Sequence, residues 1–379
     1  MQVSFLNNAT YSGISGLSRY EQNLFQALSA YSSLSVNKAK IPPPALPPEL
    51  LRLIRRAGFD LITFHENYPL RWPEGLTGLV HLTRLGQATL LTRKRKYPIV
   101  VTVHDIIHYK YRDDPSMHIY RNPVQAWFDA MAVRQLKKAD AILADSEYTR
   151  QCLIDIAGVP SENIHVIYLG ISPKQFYPLE VPRAFYQHYG LNQQTPYILH
   201  ISTEEPRKNF PRVIEAFAEI KRMRPEVRLM KIGRPLYPDQ RARHRKLIET
   251  LGIQDSIIFI DDVSDEDLPY FYNVGRLLLF PSLEEGFGFP VLEAMACGMP
   301  VICSGLASLP EIAGEAALFV NPYKTEEIVE SVLRLLSDKR LSTELSIAGI
   351  TQAKQFSWKK TASQTVGIYQ KVMESYDAA

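Results

Sequence analysis

Two glutamates bracket a glycine-containing loop in the last third of the chain. Glu285 and Glu293 are separated by seven residues, and the loop Gly286-Phe-Gly-Phe289 starts directly after Glu285. Pro290 suits the first turn of a helix, where the missing N–H would have no partner. Loop amides and the positive end of a helix dipole both favour an anion, so the pattern indicates a phosphate site. Because carboxylates repel phosphate, we expect the glutamates to accept hydrogen bonds from sugar hydroxyls.

The alternative interpretation of the same stretch is purely structural. Glu293 would be an acid in the first turn of a helix, stabilised by the dipole, and the glycines would serve an ordinary turn. The apolar run Arg276–Phe280 predicts a buried strand before the loop, and Gly298 with Pro300 predicts the end of the helix. Because strand, loop, helix start and paired carboxylates occur together, we favour a binding site.

A second candidate group is cationic. Arg207 and Lys208 lie in the loop Thr203–Asn209, which follows a predicted strand at Thr195–Ile201. Ligands of open α/β sheets bind at the carboxyl ends of strands, so we expect these surface-loop side chains to reach the same crevice as the glycine loop. Two fixed cations could neutralise a diphosphate leaving group. A solvated charged turn is the alternative, which Pro206 disfavours because it stiffens the loop.

His104 is the third candidate. It follows a strongly apolar predicted strand, Tyr97–Val103, and therefore lies at a carboxyl strand end where a ligand can be reached. A lone histidine is more often structural than catalytic, but this position favours contact with a ligand. Asp105 is interpreted as a residue that caps the following loop.

The string Glu285-Gly-Phe-Gly-Phe-Pro-Val-Leu-Glu293 resembles the Glu-x7-Glu signature of retaining glycosyltransferases with the GT-B fold, in family 4. The segments Ala294–Ile302 and Leu309–Gly314 match that family in order and spacing. The resemblance implies that Glu285 holds the hydroxyls of the donor hexose and that Glu293 holds the nucleotide ribose. It also implies that the pyrophosphate is held by the amides of Gly286, Phe287, Gly288 and Phe289.

The same resemblance gives roles to residues outside this string. It places His104 near the transferred sugar or the acceptor, and Lys208 matches the lysine of the family's cation pair. The family more often has an arginine where this chain has Ser202, and this sequence resembles the subgroup with Pro-Arg-Lys-Asn, in which Arg207 supplies the second cation.

Three more positions complete the donor-binding set that the resemblance implies. Gly16 belongs to the N-terminal glycine-rich loop, together with Gly13, and would face the donor phosphates. Gly233 ends a predicted strand at Arg228–Gly233, and the loop at Val263 would pack on the nucleotide base.

Alternating strands and helices predict an α/β protein with the GT-B fold, that is, two doubly wound Rossmann-like domains facing a central cleft. We expect an acceptor domain at residues 1–183 and a donor domain at 184–358, with a hinge between Phe176 and Gln194. The terminal helix, 359–379, should return to the first domain. Further expected elements are strands at Gln2–Leu6, Asp60–Phe64, Ala139–Asp145, Ile164–Tyr168 and Ser256–Ile260, helices at Arg19–Ala30, Leu50–Ala57 and Phe210–Met223, and a surface loop at 41–48.

Composition restricts the class of protein. The chain has 379 residues, 46% hydrophobic and 22% charged, with a net charge of +3, which gives no argument for nucleic acid. Its three cysteines lack disulfide or zinc spacing and suggest a reducing cytoplasm. No signal peptide or membrane span is expected. The basic run Arg93–Lys96 is interpreted as a solvated face or as a peripheral contact with anionic lipid.

The sequence therefore predicts a hexosyltransferase that retains anomeric configuration, takes a nucleotide sugar and acts on a hydroxyl of a glycan or lipid-linked acceptor. GDP-mannose is the favoured donor, with UDP-glucose, UDP-GlcNAc or UDP-galactose as alternatives. No metal or other cofactor is expected, because Asp265-Glu-Asp267 reads with Ser264 as a helix cap. The remaining alternatives are a phosphorylase, a sugar-nucleotide epimerase and a non-catalytic sugar-nucleotide-binding protein.

Overall fold

The computed structural model describes residues 1–7, 16–42, 44, 46–47, 49, 52, 61–114, 116–117, 120, 122–235 and 238–378. The chain divides into two compact units. One consists of Met1–Gly170 together with Trp358–Ala379, and the other is the continuous segment Ile171–Ser357. No helix among the described residues has the length and apolar character to cross a bilayer.

The first unit is built on a parallel sheet with the strand order β2-β1-β3-β4-β5-β6. Parallel neighbours need crossover connections, so helices cover both faces and the central strands are buried on each side. The strands are β1 (Gln2–Asn7), β2 (Ser35–Lys40), β3 (Leu79–Leu82), β4 (Ile99–Val103), β5 (Ala141–Ala144) and β6 (Ile164–Val166). The α-helices described here are Gly16–Ser29, Leu61–Asn67, Ile107–Lys110, Pro123–Gln135, Glu147–Asp155 and Trp358–Asp377, with 3-10 helices at Leu85–Thr92, Leu136–Lys138 and Ser161–Asn163.

The second unit repeats this architecture with the strand order β12-β11-β10-β7-β8-β9, again all parallel. Its strands are β7 (Tyr197–Ile201), β8 (Arg228–Ile232), β9 (Ile257–Ile260), β10 (Leu277–Phe280), β11 (Val301–Ser304) and β12 (Leu318–Val320). Its described α-helices are Arg183–His188, Phe210–Met223, Pro238–Thr250, Leu268–Val274, Phe289–Ala296, Leu309–Ala313, Thr325–Ser337 and Lys339–Ala353, with 3-10 helices at Pro206–Lys208 and Gln254–Ser256.

In both sheets the chain builds outward in one direction and then returns to the opposite side of the first strand. The reversal falls between β1 and β3 in the first unit, and between β7 and β10 in the second. Loops that leave the carboxyl ends of two strands at such a switch point diverge and leave a crevice for a ligand. These strand orders confirm the predicted doubly wound α/β architecture. The loops after β7 and β10, at the second switch point, carry Arg207, Lys208 and Glu285.

Most predicted elements are confirmed, but the segment Asp60–Phe64 is not a strand. The described part, from Leu61, is the helix Leu61–Asn67. The Phe64 ring packs at 5.0 Å and 5.1 Å from the rings of Phe128 and Tyr68. This apolar cluster supports a helix that a five-residue pattern could not distinguish from a strand.

Four of the described strands were not anticipated from the sequence: β2, β3, β11 and β12. β2 lies at the edge of the first sheet and is largely exposed, so its sequence Ser-Val-Asn-Lys-Ala-Lys lacks an apolar run. β3 is fully buried but has only four residues, Leu79–Leu82. The predicted helix Leu50–Ala57 lies almost entirely outside the described residues, as do Gly13 and part of the loop 41–48.

The division between the units falls after Gly170, earlier than the expected domain limit at 183/184. Residues of the intervening segment bond within the second unit: the Gln175 side chain donates to the Asp265 carbonyl at 3.1 Å, and the Leu179 amide donates to Asn273 at 2.9 Å. At the other end of the chain, the helix Trp358–Asp377 belongs to the first unit, where the Thr361 hydroxyl donates to the Tyr168 carbonyl.

Candidate functional site

The glycine loop between β10 and the helix Phe289–Ala296 is held in a fixed shape. Gly288 is the N-cap and has φ 107°, a conformation that favours glycine, and a Cβ there would lie 2.6 Å from Leu309 Cδ2. The Ser308 hydroxyl lies 3.0 Å from the Glu285 carbonyl and 2.9 Å from the Phe287 carbonyl. Pro290 occupies the first turn of the helix, as predicted. The loop therefore reaches the helix N-terminus with a defined backbone.

Glu285 lies beside both predicted cations. Lys208 Nζ is 2.7 Å from Glu285 Oε1 and 2.9 Å from Oε2, and Arg207 Nη1 is 3.1 Å from Oε2. Lys208 is only 8% exposed and Glu285 only 5%. Burial disfavours the charge on Glu285, but the Lys208 and Arg207 cations outweigh it, so the pKa of Glu285 lies below its usual value. The expectation of a surface-loop lysine without a core role is wrong, because Lys208 is buried in this ion pair.

The loop that carries the cations is tied to the glycine-loop strand by backbone and amide contacts. Asn209 adopts a left-handed conformation, φ 57°, and its side-chain amide donates to the carbonyls of Pro281 at 3.1 Å and Pro322 at 2.8 Å. The Leu283 amide donates to the Arg207 carbonyl at 2.7 Å. Arg207 also pairs with Glu205 at 2.8 Å. These bonds fix the two loops of the switch point relative to each other.

Glu293 lies in the second turn of its helix, not in the first as predicted, because the helix starts at Phe289. It is 1% exposed, and the Tyr272 hydroxyl donates to its Oε2 at 2.7 Å. A buried carboxylate that is held by a neutral hydroxyl differs from Glu285, which is held by cations. The two glutamates are therefore held by different partners within one loop–helix unit, and Tyr272 was not anticipated from the sequence.

Gly233, at the end of β8, approaches the loop after β7 closely. Its φ is 107°, and a Cβ would lie 2.5 Å from the Ser202 carbonyl oxygen. Beneath this contact Lys231 is fully buried, and its Nζ lies 2.7 Å from the Ser202 carbonyl and 2.9 Å from the Gly233 carbonyl. Burial lowers the pKa of Lys231 to about 7. Val263 is half-buried in the loop after β9.

A buried polar network supports the same strand ends. Glu204 accepts from Arg241 at 2.5 Å and from His244 Nδ1 at 2.7 Å, and Lys231 Nζ lies 3.9 Å away. Sequence reasoning missed this group. The available signal was Lys231 itself, since a lysine inside an otherwise apolar strand needs buried acceptors.

In the first unit, His104 is held between two acceptors. Its Nδ1 pairs with the Asp145 carboxylate at the end of β5, and its Nε2 lies 3.1 Å from the Thr83 carbonyl oxygen. Burial disfavours the imidazolium, but the charge of Asp145 and its hydrogen bond outweigh burial, so the pKa of His104 lies above its usual value. The Asp105 carboxylate accepts from the Ile107 amide at 3.0 Å, which confirms its predicted capping role.

A chain of buried hydrogen bonds connects His104's surroundings to the last helix. The Tyr20 ring lies edge-on to His104, with centroids 4.5 Å apart, and its hydroxyl is 2.6 Å from Thr102 Oγ1. Thr102 Oγ1 is 2.7 Å from His81 Nε2, and His81 Nδ1 is 2.6 Å from the Tyr369 hydroxyl. Burial lowers the pKa of His81 to about 3, so this histidine is neutral. Gly16 begins the helix that carries Tyr20.

The structure thus brings Arg207, Lys208 and Glu285 into direct contact. Glu293 lies further along the loop–helix unit that Glu285 opens, and Gly233 and Val263 lie in the segments that follow the neighbouring strands β8 and β9. His104 and Gly16 belong to the first unit, where each follows a parallel strand.

Comparison with known proteins places the chain in a family. Residues 183–352 match the model of group 1 glycosyl transferases, and residues 16–175 match that of glycosyltransferase family 4. An MMP alpha-(1->4)-mannosyltransferase of Mycolicibacterium hassiacum is 30% identical over 84% of this chain and 72% of the relative. The O-antigen chain mannosyltransferase B of Escherichia coli is 34% identical over 62% of this chain.

The chain spans about a third to three fifths of the length of the Escherichia coli mannosyltransferases that it matches. Among solved structures, Anabaena HepE in complex with UDP and glucose superposes with a TM-score of 0.71, covering 97% of this chain and 99% of that chain at 18% identity. That likeness shows the GT-B fold. Together with the family models and the mycobacterial relative, it leads to one conclusion: the chain belongs to glycosyltransferase family 4.

Proposed function

We propose that the chain transfers a hexose, with retention of configuration, from a nucleotide sugar to a hydroxyl of a glycan or lipid-linked acceptor. One observation carries the proposal. At the switch point of the second sheet, the buried carboxylate of Glu285 forms ion pairs with Lys208 and Arg207. Glu285 directly precedes the glycine loop and the helix N-terminus. This combination supplies acceptors for sugar hydroxyls and donors for phosphate within one loop–helix unit.

The roles follow from the local chemistry. Glu285, oriented by Lys208, accepts hydrogen bonds from the transferred hexose, and the amides from Gly286 to Phe289 bind the pyrophosphate. Arg207 and Lys208 offset the charge that develops on the departing phosphate. Glu293 binds the ribose, while Gly233 and Val263 lie at the nucleoside.

Retention is proposed to occur by front-face transfer. The bond from the anomeric carbon to the phosphate oxygen breaks, the acceptor oxygen bonds to the same face of that carbon, and the acceptor proton passes to the departing phosphate. Fixed cations and amides stabilise the leaving charge in this scheme. In the first unit, Gly16 is assigned to the donor phosphates, and His104 to the transferred sugar or the acceptor.

Mannose from GDP-mannose is the favoured donor, supported by the mannosyltransferase names of the relatives. A UDP-sugar is the second candidate, because HepE was solved with UDP and glucose. We also propose peripheral contact with an anionic membrane through Arg93–Lys96. All four of these side chains are exposed, and Arg95 pairs with Asp140.

The two glutamates provide the test of the donor site. Removing a buried acceptor costs about 1–3 kcal/mol through the partner left unpaired. Glu285→Gln should therefore reduce transfer and relax sugar selectivity while leaving the affinity for free nucleoside diphosphate nearly unchanged. Glu293→Gln should reduce the affinity for the diphosphate itself.

Calorimetric titration of GDP and UDP into wild type and both variants measures this difference, and the tighter diphosphate identifies the base. Glu327→Gln is a matched control, because Glu327 is a surface carboxylate of the same unit that pairs with Lys324. Equal loss of diphosphate affinity in both site variants would contradict the division of roles. Absence of binding by either diphosphate to the wild type would contradict the proposed function.

A further inference from the structure

The first unit contains a pocket of about 270 Å³ beside His104. Its wall includes Leu17 after β1, Arg84 and Leu85 after β3, and His104 and Asp105 after β4. The sheet reverses direction between β1 and β3, so the pocket lies at the switch point where an open α/β sheet leaves room for a ligand. Because pockets for drug-sized ligands span roughly 300–1,000 Å³, this one suits a single small ring.

One wall of the pocket is a carboxylate held by two phenols. Asp129 Oδ1 accepts from the Tyr68 hydroxyl at 2.5 Å, and Oδ2 accepts from the Tyr120 hydroxyl at 2.6 Å. A carboxylate has about four lone-pair positions, so these two bonds orient the group without exhausting its acceptor capacity. The Tyr68 ring is itself fixed by packing against Phe64 and Phe128. An oriented carboxylate beside an aromatic ring suits the hydroxyls and the C–H face of a sugar.

The charge of the pocket disfavours an anion. Among the described residues that line it, Arg84 is the permanent cation, and its Nε is 2.7 Å from the buried carboxylate of Glu21. His104 faces the carboxylate of Asp145 in the same way. Asp105 and Asp129 add negative charge to the wall. A phosphate group would therefore meet two cations that already face carboxylates, together with two further acids. The other imidazole of the wall, His108, packs against Tyr120 with ring centroids 6.0 Å apart, on the side where Tyr120 bonds Asp129.

From this geometry we propose that the pocket binds one neutral, unphosphorylated sugar ring, the terminal residue of an acceptor glycan, with Asp129 as a specificity-determining residue. This assignment rests on the proposed function, and it names the acceptor class: a neutral glycan end rather than a sugar phosphate or another anionic group. Asp129 accepts hydrogen bonds from the ring hydroxyls, and Tyr68 keeps the carboxylate aimed at them.

Saturation-transfer NMR on the wild-type chain tests the proposal with methyl glycosides of mannose, glucose and galactose, the corresponding 6-phosphates and inorganic phosphate. We expect at least one neutral glycoside to bind, its 6-phosphate to bind about tenfold more weakly or not at all, and inorganic phosphate not to compete. Preference for the phosphorylated sugar, competition by phosphate, or failure of every neutral glycoside to bind would overturn the assignment.

Two variants locate the binding. Asp129→Asn and Tyr68→Phe should weaken the glycoside about tenfold, because each removes or misdirects a charged acceptor. Glu147→Gln changes an exposed acid of the same unit that pairs with Arg150, and it should bind as the wild type does. Unchanged glycoside affinity in Asp129→Asn would overturn the proposal. If that variant does not fold, the wild-type probe comparison still decides.

Titration of GDP and UDP into the same samples distinguishes a failure of the pocket assignment from a failure of the proposed function. Binding of a diphosphate without binding of any neutral glycoside would contradict the pocket assignment and leave the proposed function standing. Binding of a glycoside without binding of either diphosphate would contradict the proposed function.

Discussion

Lys208 and Glu285 form a buried ion pair that links the two loops of the second switch point. Removing one partner of a buried pair costs about 3–5 kcal/mol where the other charge is left uncompensated. Arg207 still pairs with Glu285 at 3.1 Å, so the cost of losing Lys208 should fall below that range. We therefore expect Lys208→Ala to lower both the free energy of unfolding and turnover, the latter by about two orders of magnitude. Urea denaturation and steady-state kinetics at saturating donor measure the two effects separately.

The double variant Lys208→Met/Glu285→Gln distinguishes structure from chemistry. It removes both charges, so stability should recover towards that of the wild type while turnover stays low. Lys324→Met is the matched control, because Lys324 forms an exposed pair with Glu327 in the same unit. Wild-type turnover in Lys208→Ala would refute the assignment of Lys208 to the leaving group.

His104 gives the first unit a defined pH dependence. Its folded-state pKa lies above the ordinary value of 6.5 because of Asp145, after opposition from burial. The associated stability is therefore fully present below pH 6.5 and is lost as the pH rises through the folded-state pKa. We expect the difference in melting temperature between wild type and His104→Gln to be largest below pH 6.5 and to narrow as the pH rises above that value.

His165→Gln is the control for this titration. Burial, with a contribution from Lys371, lowers the pKa of His165. The melting temperature of the wild type relative to His165→Gln should therefore increase as the pH rises, which is opposite to the trend for His104→Gln. A difference for His104→Gln that widens as the pH rises would show that Asp145 does not dominate the environment of this imidazole.

At the scale of elements, the helix Trp358–Asp377 supports residues that lie far from it in sequence. Tyr369→Phe removes one end of the buried chain that runs through His81 and Thr102 to Tyr20. The unpaired imidazole nitrogen should cost about 1–3 kcal/mol of stability. Because Tyr20 packs against His104 and the donor residues lie in the other unit, we expect the turnover number to fall while diphosphate affinity is unchanged.

Kinetics and calorimetry on the same preparation measure this separation. Tyr376→Phe, on the last turn of the same helix, removes a hydroxyl bonded at the surface to the Lys96 carbonyl and should leave both quantities unchanged. A wild-type turnover number in Tyr369→Phe would show that the chain of hydrogen bonds does not position His104.

The sequence was informative wherever an apolar run or a capping residue marked an element. The helix Phe210–Met223 begins and ends where its pattern predicted, and Ser146 accepts from the Thr149 amide as an N-cap should. The sequence was uninformative for the edge strand β2, because its exposed residues show no alternation of apolar and polar side chains. It was also uninformative for the helix Leu61–Asn67, because that helix packs on an aromatic residue far away in sequence, Phe128.

The candidate site shows the same limit. Arg207, Lys208 and Glu285 were identified by type and position, but their mutual contact and burial depend on Asn209 and on the pairing of β7 with β10. Asp145, Tyr272, Lys231 and Ser308 were not identified. Each acts through a hydrogen bond to a residue at least 20 positions away, which local pattern cannot reveal.

At the scale of the whole molecule, the proposed chemistry relies on charges that the chain itself supplies. Arg207, Lys208 and the loop amides would offset the diphosphate charge, so we expect transfer to continue after dialysis against EDTA. Initial rates with and without EDTA, and after readdition of Mg²⁺ or Mn²⁺, measure this. A reversible loss of turnover that only the metal restores would contradict the prediction.

The return of the last helix to the first unit has a consequence for biosynthesis. His81 and its partner Tyr369 are 288 residues apart, and the whole second unit is translated between them. At about 5–20 residues per second, the ribosome needs roughly 15–60 s to deliver the tyrosine. Throughout that interval, the nascent first unit lacks the helix that completes it, while the later-made second unit can finish folding first. In this protein the order of synthesis is therefore not the order of completion.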